Sequence, residues 1–200
     1  MEPAAILTAT ADDQRELVAT LQAAFQNDPA LGWILPDPAH RARALHSLFS
    51  VLVPADMRAG TALRSAGGEA AALWRAPGNA HSGTGEFLRT LFPLLFTFGR
   101  ALPRGLKVQN GIDAHRPRGR FWYLHYVGVH PDHQGKGHGG RIIRTQTALA
   151  DAQNLPCWLE TATAQNVGLY QRLGFETQVE WDVPSGGPHF WGMFRQPQPI

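Results

Sequence analysis

The sequence predicts an α/β fold in a single domain, and three features carry that prediction. The chain has 200 residues, 44% hydrophobic and 17% charged, which suits one domain with a sizeable core. Residues 121–161 read as a strand, a glycine-rich turn, a helix and a second strand, an order typical of a right-handed parallel crossover. The residues after 177 predict an antiparallel hairpin around Ser185-Gly186-Gly187. A mixed sheet with helices accounts for all three.

The first 120 residues predict a short strand, four helices and a pair of strands. After the strand Ile6–Thr10, Thr10 and Asp13 form a capping-box pattern that opens the first helix. Asp28-Pro29 ends that helix, and an apolar loop follows. The later helices are expected at Pro38–Met57, 85–100 and Leu102–His115, and the paired strands at Thr61–Arg64 and Ala70–Trp74.

The last 80 residues predict the more regular half of the fold. Phe121–Val129 is rich in aromatic and β-branched residues, which favour a strand. Gly174 follows a short helical run, and glycine is the usual residue at a helix end. The expected elements are the turn His130–Gly140, the helices Arg141–Gln153 and Gln165–Leu173, and the strands Cys157–Thr161, Gln178–Val183 and Phe190–Phe194.

Charge and composition exclude several classes of partner. The formal net charge is +2, from 18 basic and 16 acidic side chains without a basic stripe, so no nucleic-acid partner is expected. The most apolar stretch, Thr90–Gly99, has about half the ~20 residues that a membrane span needs. The N-terminus lacks the features of a signal peptide, and Cys157 has no second cysteine for a disulfide. We therefore expect a cytoplasmic protein with no membrane partner.

The glycine-rich turn satisfies a dinucleotide-binding pattern. Gly135, Gly137 and Gly140 match G-x-G-x-x-G, and Glu160 follows twenty residues later, as in NAD(P)-dependent oxidoreductases. However, five residues separate the strand from the first glycine, whereas the dinucleotide turn is tight. Only forty residues follow Glu160, and they end in an antiparallel hairpin. This interpretation is therefore the weaker of two.

The same turn also has the pattern Gln134-x-x-Gly137-x-Gly139 between a strand and a helix. Here the chain resembles the GCN5-related N-acetyltransferase superfamily, in its motif A. The segment Leu159–Phe175 resembles motif B of that superfamily, because Asn166 precedes Tyr170 by four residues and a Leu-Gly-Phe sequence ends the segment. Two linked motifs at the right spacing make the resemblance specific.

The resemblance divides residues 1–200, one acetyltransferase domain, into three parts. Residues 1–120 form an N-terminal half with the acceptor-site helices, and the similarity is loose over residues 1–110. Residues 121–176 carry motifs A and B, and residues 177–200 the C-terminal hairpin. The implied sheet is mixed, mostly antiparallel, six- or seven-stranded, flanked by helices and splayed at its centre.

A helix that begins in a glycine-rich turn suits a diphosphate. Its N-terminus presents unpaired N–H groups and a partial positive charge, and glycine lets the backbone approach the phosphates. The resemblance implies that the coenzyme is acetyl-CoA, bound as a cosubstrate. The turn residues expected to bind it are Gln134, Gly135, Lys136, Gly137, His138, Gly139 and Gly140.

The resemblance also implies where the thioester lies. The pantetheine arm would pair with the backbone of Val127 and Val129, in the cleft where two central strands part. A backbone N–H near Val129 would bind the oxyanion that forms. Transfer in this superfamily usually goes directly from thioester to amine in a ternary complex. An inert, packed Cys157 is consistent with the absence of a covalent intermediate.

Tyr170 is the candidate general acid, and His125 the first candidate for the general base. A phenol has a reference pKa near 10, so it still holds its proton at neutral pH. His125 occupies the place of a base histidine in the arylalkylamine acetyltransferases. Strand alternation predicts that it shares a face with Tyr123, Val127 and Val129. Glu160 is the second candidate for the base.

Asn166 and three histidines are the remaining polar candidates. Asn166 is expected to serve the coenzyme or to order the loop before its helix, with a plain N-cap as the alternative. His130, His133 and His138 lie close in sequence, but neither a cysteine nor a carboxylate pair completes a metal site. No metal is therefore expected.

The acceptor is expected to be a small-molecule primary amine, with a peptide left open. The resemblance places the acceptor pocket in the first half of the chain, which contains Phe25, Trp33, Trp74 and the segment Phe87–Phe98. Such residues could form an apolar wall for an aryl- or alkyl-amine, although core packing is their more ordinary role. A non-catalytic acyl-CoA sensor and a homodimer also remain open.

Overall fold

The fold is built on one sheet with helices on both faces. The structure, a computed structural model, describes residues 4–80 and 97–199. The helix predicted over residues 85–100 and most of the segment Phe87–Phe98 therefore lie outside the described residues. Within the described ranges, no helix is both long enough and apolar enough to cross a bilayer.

In the described part of the chain, seven strands form the sheet in the order β1-β2-β3-β4-β5-β7-β6. Only β4 and β5 pair in parallel, and the other neighbours are antiparallel. This arrangement confirms the predicted mixed, mostly antiparallel sheet. The strands are β1 Ile6–Thr8, β2 Gly60–Ser65, β3 Ala70–Arg75, β4 Trp122–Val129, β5 Cys157–Thr161, β6 Glu176–Asp182 and β7 His189–Arg195.

The helices of the described residues match the predicted ones with one addition. They are α1 Gln14–Ala24, α2 Pro29–Ile34, α3 Pro38–Ala59, α4 Leu102–His115, α5 His138–Ala152 and α6 Ala164–Gln171. We expected an apolar loop where α2 lies. A helical turn forms there because Pro29 is at its start and the Asp28 side chain accepts a hydrogen bond from the Leu31 N–H at 2.9 Å.

Side chains of β3 show that the sheet has two buried faces. Ala71 and Leu73 pack into a core with residues of α1, α2, α3 and α4. Ala72 and Trp74 point the other way, into a core with residues of α5 and α6. Trp74 is completely buried there. It is a core residue, so the sequence-based suggestion that it lines an acceptor pocket is wrong.

Strand β4 carries a β-bulge at His125. Leu73 of β3 is opposite Tyr126, whereas Trp74 is opposite Leu124, so His125 is an extra residue without its own partner. A bulge shifts the side-chain alternation of a strand by one residue. His125 and Tyr126 therefore both point toward the face that α1 and α3 cover, where each contacts residues of that side.

The bulge overturns one prediction. Alternation placed Tyr123, His125, Val127 and Val129 on one face, but Val127 and Val129 pack on the α5 side. Tyr123 belongs to a small cluster with Trp158 on the opposite face. The prediction was wrong because a period-two pattern cannot anticipate an inserted residue.

The two parallel strands pair over a short distance and then part. Their register runs from Trp122 opposite Cys157 to Leu124 opposite Leu159 and ends there. The second half of β4 therefore has β3 on one side and an open edge on the other. This confirms the splay at the centre of the sheet.

An ion pair between α5 and β7 contributes to stability, and we expect its loss to be measurable. Asp151 accepts two hydrogen bonds from Arg195, at 2.6 and 2.8 Å, and the side chains are 15% and 5% exposed. Asp151→Asn should lower the free energy of unfolding by about 2 kcal/mol at pH 7, as for other charge-assisted pairs. Urea unfolding measures this difference, and Asp182→Asn, at a side chain that is 80% exposed, should change it little.

The same variant should show a pH dependence of known sign. The hydrogen bonds from Arg195 hold the pKa of Asp151 below its usual value. A carboxyl with a lowered folded-state pKa contributes stability above its unfolded pKa of about 3.9 and loses it as the pH falls through the folded value. The difference between wild type and Asp151→Asn should therefore shrink on acidification below about pH 5. A difference that stays constant down to pH 3.5 would contradict this assignment.

Candidate active site

The glycine-rich turn leads directly into α5. Gly135 and Gly137 have φ angles of +76° and +79°, a left-handed conformation that glycine adopts without strain. The first bond of the helix joins the Arg141 N–H to the Gly137 carbonyl at 3.1 Å. The N–H groups of residues 138–140 come before this bond, so the helix itself supplies them with no acceptor. These N–H groups are therefore available to donate hydrogen bonds to an anion.

The same glycines let α5 begin close to its neighbours. A methyl group at Gly139 would lie 3.4 Å from Val129 and 4.0 Å from Leu169 of α6. By contrast, one at Gly137 would meet nothing within 4 Å. The turn, the end of β4 and α6 therefore converge, with open space on the outer side of Gly137.

Side chains of the glycine-rich turn form hydrogen bonds with other residues of the protein. Lys136 donates to the Asp132 carbonyl at 3.1 Å, and Gln134 donates to the Val129 carbonyl at 3.2 Å. His138 is buried, with its Nδ1 2.9 Å from an Arg141 nitrogen. Burial lowers the pKa of His138, and the Arg141 charge lowers it further. What the turn offers a ligand is chiefly its backbone.

Strand β4 presents backbone groups at its open edge. His130 donates its N–H to the Glu69 carbonyl on the β3 side at 2.8 Å. Backbone groups of successive strand residues point to opposite edges, so those of Val127 and Val129 point away from β3. The register with β5 has already ended there. An extended ligand can add to this edge as a further strand would.

Tyr170 lies near the end of α6, in the core between that helix and the sheet. Its ring centroid is 6.1 Å from that of Phe175, in an edge-on contact. The residue is 5% exposed, and the described residues give its hydroxyl no hydrogen-bond partner. Burial raises the pKa of Tyr170, and the carboxylate of Asp28 raises it further. The phenol keeps its proton at any physiological pH.

His125 contacts a buried ion pair. Its Nδ1 lies 2.7 Å from Oδ2 of Asp56 on α3, and Oδ1 of Asp56 lies 2.6 Å from Nε of Arg75. Asp56 and Arg75 are 0% and 3% exposed, while the His125 side chain is 17% exposed. Burial alone would raise the pKa of Asp56, but the charges and hydrogen bonds of His125 and Arg75 together lower it. The carboxylate is therefore ionised.

Glu160 lies in a different buried cluster. Its Oε1 accepts a hydrogen bond from the Trp158 indole at 2.5 Å and lies 3.5 Å from Nε of Arg116. Arg116 in turn donates to the Tyr123 hydroxyl at 3.3 Å and stacks on that ring. Burial raises the pKa of Glu160, although Arg116 opposes the rise. The side chain is 4% exposed and held from several directions.

The loop before α2 lies on the His125 side of the sheet. Phe25 packs edge-on against Tyr126 at 5.5 Å, and both rings contact Phe49 of α3. Trp33 is half-buried against Arg104. Burial raises the pKa of the half-buried Asp28 carboxyl. This region combines aromatic rings with one acidic group.

Asn166 and the three histidines of the turn are the remaining residues considered from the sequence. Asn166 is inside α6, whose N-cap is Thr163, so the plain N-cap alternative is wrong. Its backbone N–H donates to the Thr163 carbonyl at 2.9 Å. The rings of His130, His133 and His138 follow one another at 5.9 and 6.1 Å, but the described residues contain no group of three or more side chains able to hold a metal.

Two residues of the site were not predicted from the sequence. Asp56 and Arg75 are far apart in the chain and pair only in the fold. Asp56 does carry a signal: it follows Leu52 by four residues and Val53 by three, which places a carboxylate on the apolar stripe of α3. A charge in such a position needs a buried partner.

Comparisons with known proteins agree on one family. The sequence profile described as "Acetyltransferase (GNAT) domain" matches residues 105–177. An uncharacterized N-acetyltransferase of Schizosaccharomyces pombe is 28% identical over 179 residues, which is 84% of this chain and 72% of the relative. A second one from that organism is 38% identical over 63 residues, 32% of this chain and 26% of the relative.

Solved structures share the fold along the whole chain. A histone acetyltransferase HPA2 and related acetyltransferase from Corynebacterium glutamicum has a TM-score of 0.75 at 25% identity, covering 100% of this chain and 99% of that one. Arylalkylamine N-acetyltransferase 2 from Aedes aegypti has a TM-score of 0.56 at 16% identity, covering 97% and 99%. With the splayed sheet and the glycine turn that opens α5, these matches identify a GNAT acetyltransferase domain at residues 105–177 and support the GCN5-related N-acetyltransferase superfamily for the chain.

Proposed function

We propose that this N-acetyltransferase moves an acetyl group from acetyl-CoA directly to a primary amine, of a small molecule, in a ternary complex. The observation that carries the proposal is the convergence of three features at one opening of the sheet. These are the N–H groups that begin α5, the open backbone edge of β4, and Tyr170 of α6, which packs in one core with Val127 and Val129. The assignment of these residues to the site is part of the proposal.

The chain suits acetyl-CoA at both ends of the cosubstrate. The N–H groups of residues 138–140, with the helix dipole behind them, suit the diphosphate. Lys136 and the other turn residues from Gln134 to Gly140 complete the proposed diphosphate-binding site. The open edge formed by Val127 and Val129 suits the amides of the pantetheine arm, and an N–H there suits the oxyanion. Asn166, on the first turn of α6, faces the same opening in this proposal.

Two side chains are assigned to the proton transfers. A protonated amine gives its proton to His125, and the free amine attacks the thioester carbon. When the carbon–sulfur bond breaks, Tyr170 donates its proton to the departing thiolate, and the nitrogen loses its second proton, which restores the phenol. Burial raises the pKa of the Cys157 thiol to about 12, so it holds no nucleophilic thiolate at neutral pH. This supports direct transfer without a cysteine intermediate.

The region beside His125 suits a cationic amine with an apolar body. Asp28 supplies a negative charge near the proposed reaction centre, where it acts on the pKa of both Tyr126 and Tyr170. Phe25 and Trp33 supply apolar surface. These features support an aryl- or alkyl-amine more than a backbone amine of a protein.

Calorimetry and an amine screen test the proposal. We expect acetyl-CoA to bind with micromolar affinity and NADP⁺ to give no heat in the same buffer. Thiol release is then measured with tryptamine, agmatine and a lysine-containing histone-tail peptide. Faster release with either small amine supports the proposal, and preference for the peptide overturns the acceptor class. Binding without transfer to any amine would indicate an acyl-CoA sensor, and binding of NADP⁺ alone would contradict the coenzyme.

We expect Gly137→Ala to weaken acetyl-CoA binding by about 10-fold. A side chain at this left-handed position adds strain of ~1–2 kcal/mol, and its methyl group enters the open space at the turn. Calorimetry with acetyl-CoA measures the effect. Gly186→Ala is the matched control, since Gly186 has φ +71° and also meets nothing within 4 Å but lies in the β6–β7 hairpin. Equal losses in both variants would show that strain alone, and not the turn, explains the change.

A further inference from the structure

Asp56 and His125 form a pair with the geometry of a base and its orienting carboxylate. An ionised carboxylate can only accept a hydrogen bond, so the 2.7 Å contact with Asp56 requires His125 Nδ1 to carry the proton. The other ring nitrogen, Nε2, is then left with a lone pair. The His125 side chain is 17% exposed, whereas Asp56 and its second partner Arg75 are 0% and 3% exposed. Among these three residues, His125 is therefore the one that solvent or a substrate can reach.

Arg75 determines the charge of this cluster. It donates to the second oxygen of Asp56 at 2.6 Å, so the buried carboxylate is already balanced by a cation. With a neutral imidazole, His125, Asp56 and Arg75 carry no net charge among themselves.

We propose that Asp56 is a positioning residue: it holds His125 as the Nδ1–H tautomer, so that Nε2 accepts the proton of the acceptor amine. The part of this inference that concerns the acceptor amine rests on the proposed function. The part that concerns the His125 tautomer does not depend on it. In the step itself, the amine N–H bond breaks as the Nε2–H bond forms, and Nδ1 remains protonated throughout. Asp56 stays ionised and takes no proton.

The remaining groups around His125 come from β4 itself and from β5. The rings of Tyr126 and Tyr123 lie 4.4 and 5.3 Å from the His125 ring, and the charge of His125 acts on Glu160. Burial keeps both phenols protonated, since it raises their pKa values. Asp56 is thus the ionised group in direct contact with the imidazole.

The tautomer can be measured without any acceptor. The protein is labelled with ¹⁵N-histidine, and the His125 signals are assigned by their loss in His125→Gln. At pH 8 we expect the proton on Nδ1 in wild type. In Asp56→Asn the amide can donate to Nδ1, so the proton should move to Nε2. A wild-type spectrum with the proton on Nε2 would overturn the inference, whether or not the protein transfers acetyl groups.

Activity provides the second readout. Asp56→Asn should lower kcat about 100-fold, the scale of acid–base catalysis, with the affinity for acetyl-CoA within threefold of wild type. Because Asp56→Asn also weakens the buried contact with Arg75, the double variant Asp56→Asn with Arg75→Gln serves as a second test and should show the same loss. Asp182→Asn, which removes a carboxylate 2.9 Å from the exposed His189, should leave kcat unchanged. A folded Asp56→Asn enzyme with wild-type kcat would also overturn the inference.

Discussion

Tyr170→Phe is expected to lower kcat by about 100- to 1,000-fold while leaving the affinity for acetyl-CoA within threefold of wild type. The phenyl ring fills the same space against Phe175, so the core between α6 and the sheet should be preserved. Only the hydroxyl group is lost, so the thiolate then has to leave without a proton donor. Steady-state kinetics and calorimetry measure the two quantities.

A change of leaving group sharpens this test. An acetyl thioester of a more acidic thiol needs less protonation as it leaves, so the Tyr170→Phe deficit should shrink with such a donor. Tyr126→Phe is the matched control, because it also removes one buried phenol hydroxyl but on the opposite face of β4. A deficit that is independent of the leaving group would remove Tyr170 from the proton transfer.

His125→Gln is expected to lower kcat/KM by about 100- to 1,000-fold. It should also abolish the decrease of kcat/KM at low pH, which is the acidic limb of the pH–rate profile. The imidazole is the partly exposed group beside the open half of β4, whereas Glu160 is enclosed by Trp158 and Arg116. A pH–rate profile from pH 5 to pH 9 measures both effects. An acidic limb that persists in His125→Gln would assign the base elsewhere.

Glu160→Gln distinguishes the two candidate bases. We expect this variant to lose stability, because it weakens the buried contact with Arg116, but to keep kcat within about 10-fold. Urea unfolding and the same kinetic assay separate the two effects. If Glu160→Gln loses the acidic limb and His125→Gln keeps it, the roles assigned to the two residues are reversed.

Local sequence determined the bounds of two elements and the conformation of the glycine turn. Leu102–His115 and Cys157–Thr161 have the predicted bounds, because their periodicity and flanking residues act within a few positions. The glycine turn was predictable for the same reason: the backbone conformations at Gly135 and Gly137 are ones that glycine favours strongly. The superfamily followed from two such local motifs and their spacing.

The environment of the candidate base was decided by the tertiary structure alone. The bulge at His125 arises from pairing with β3, a partner fifty residues away in the chain, and it turns the histidine to the face opposite Val127 and Val129. The contact with Asp56 then depends on how α3 packs over that face. Strand alternation and residue type record neither register nor helix packing, which are long-range properties. The sequence by itself thus determined which groups the protein could use, and the packing of α3 on a bulged β4 decided how the histidine is held.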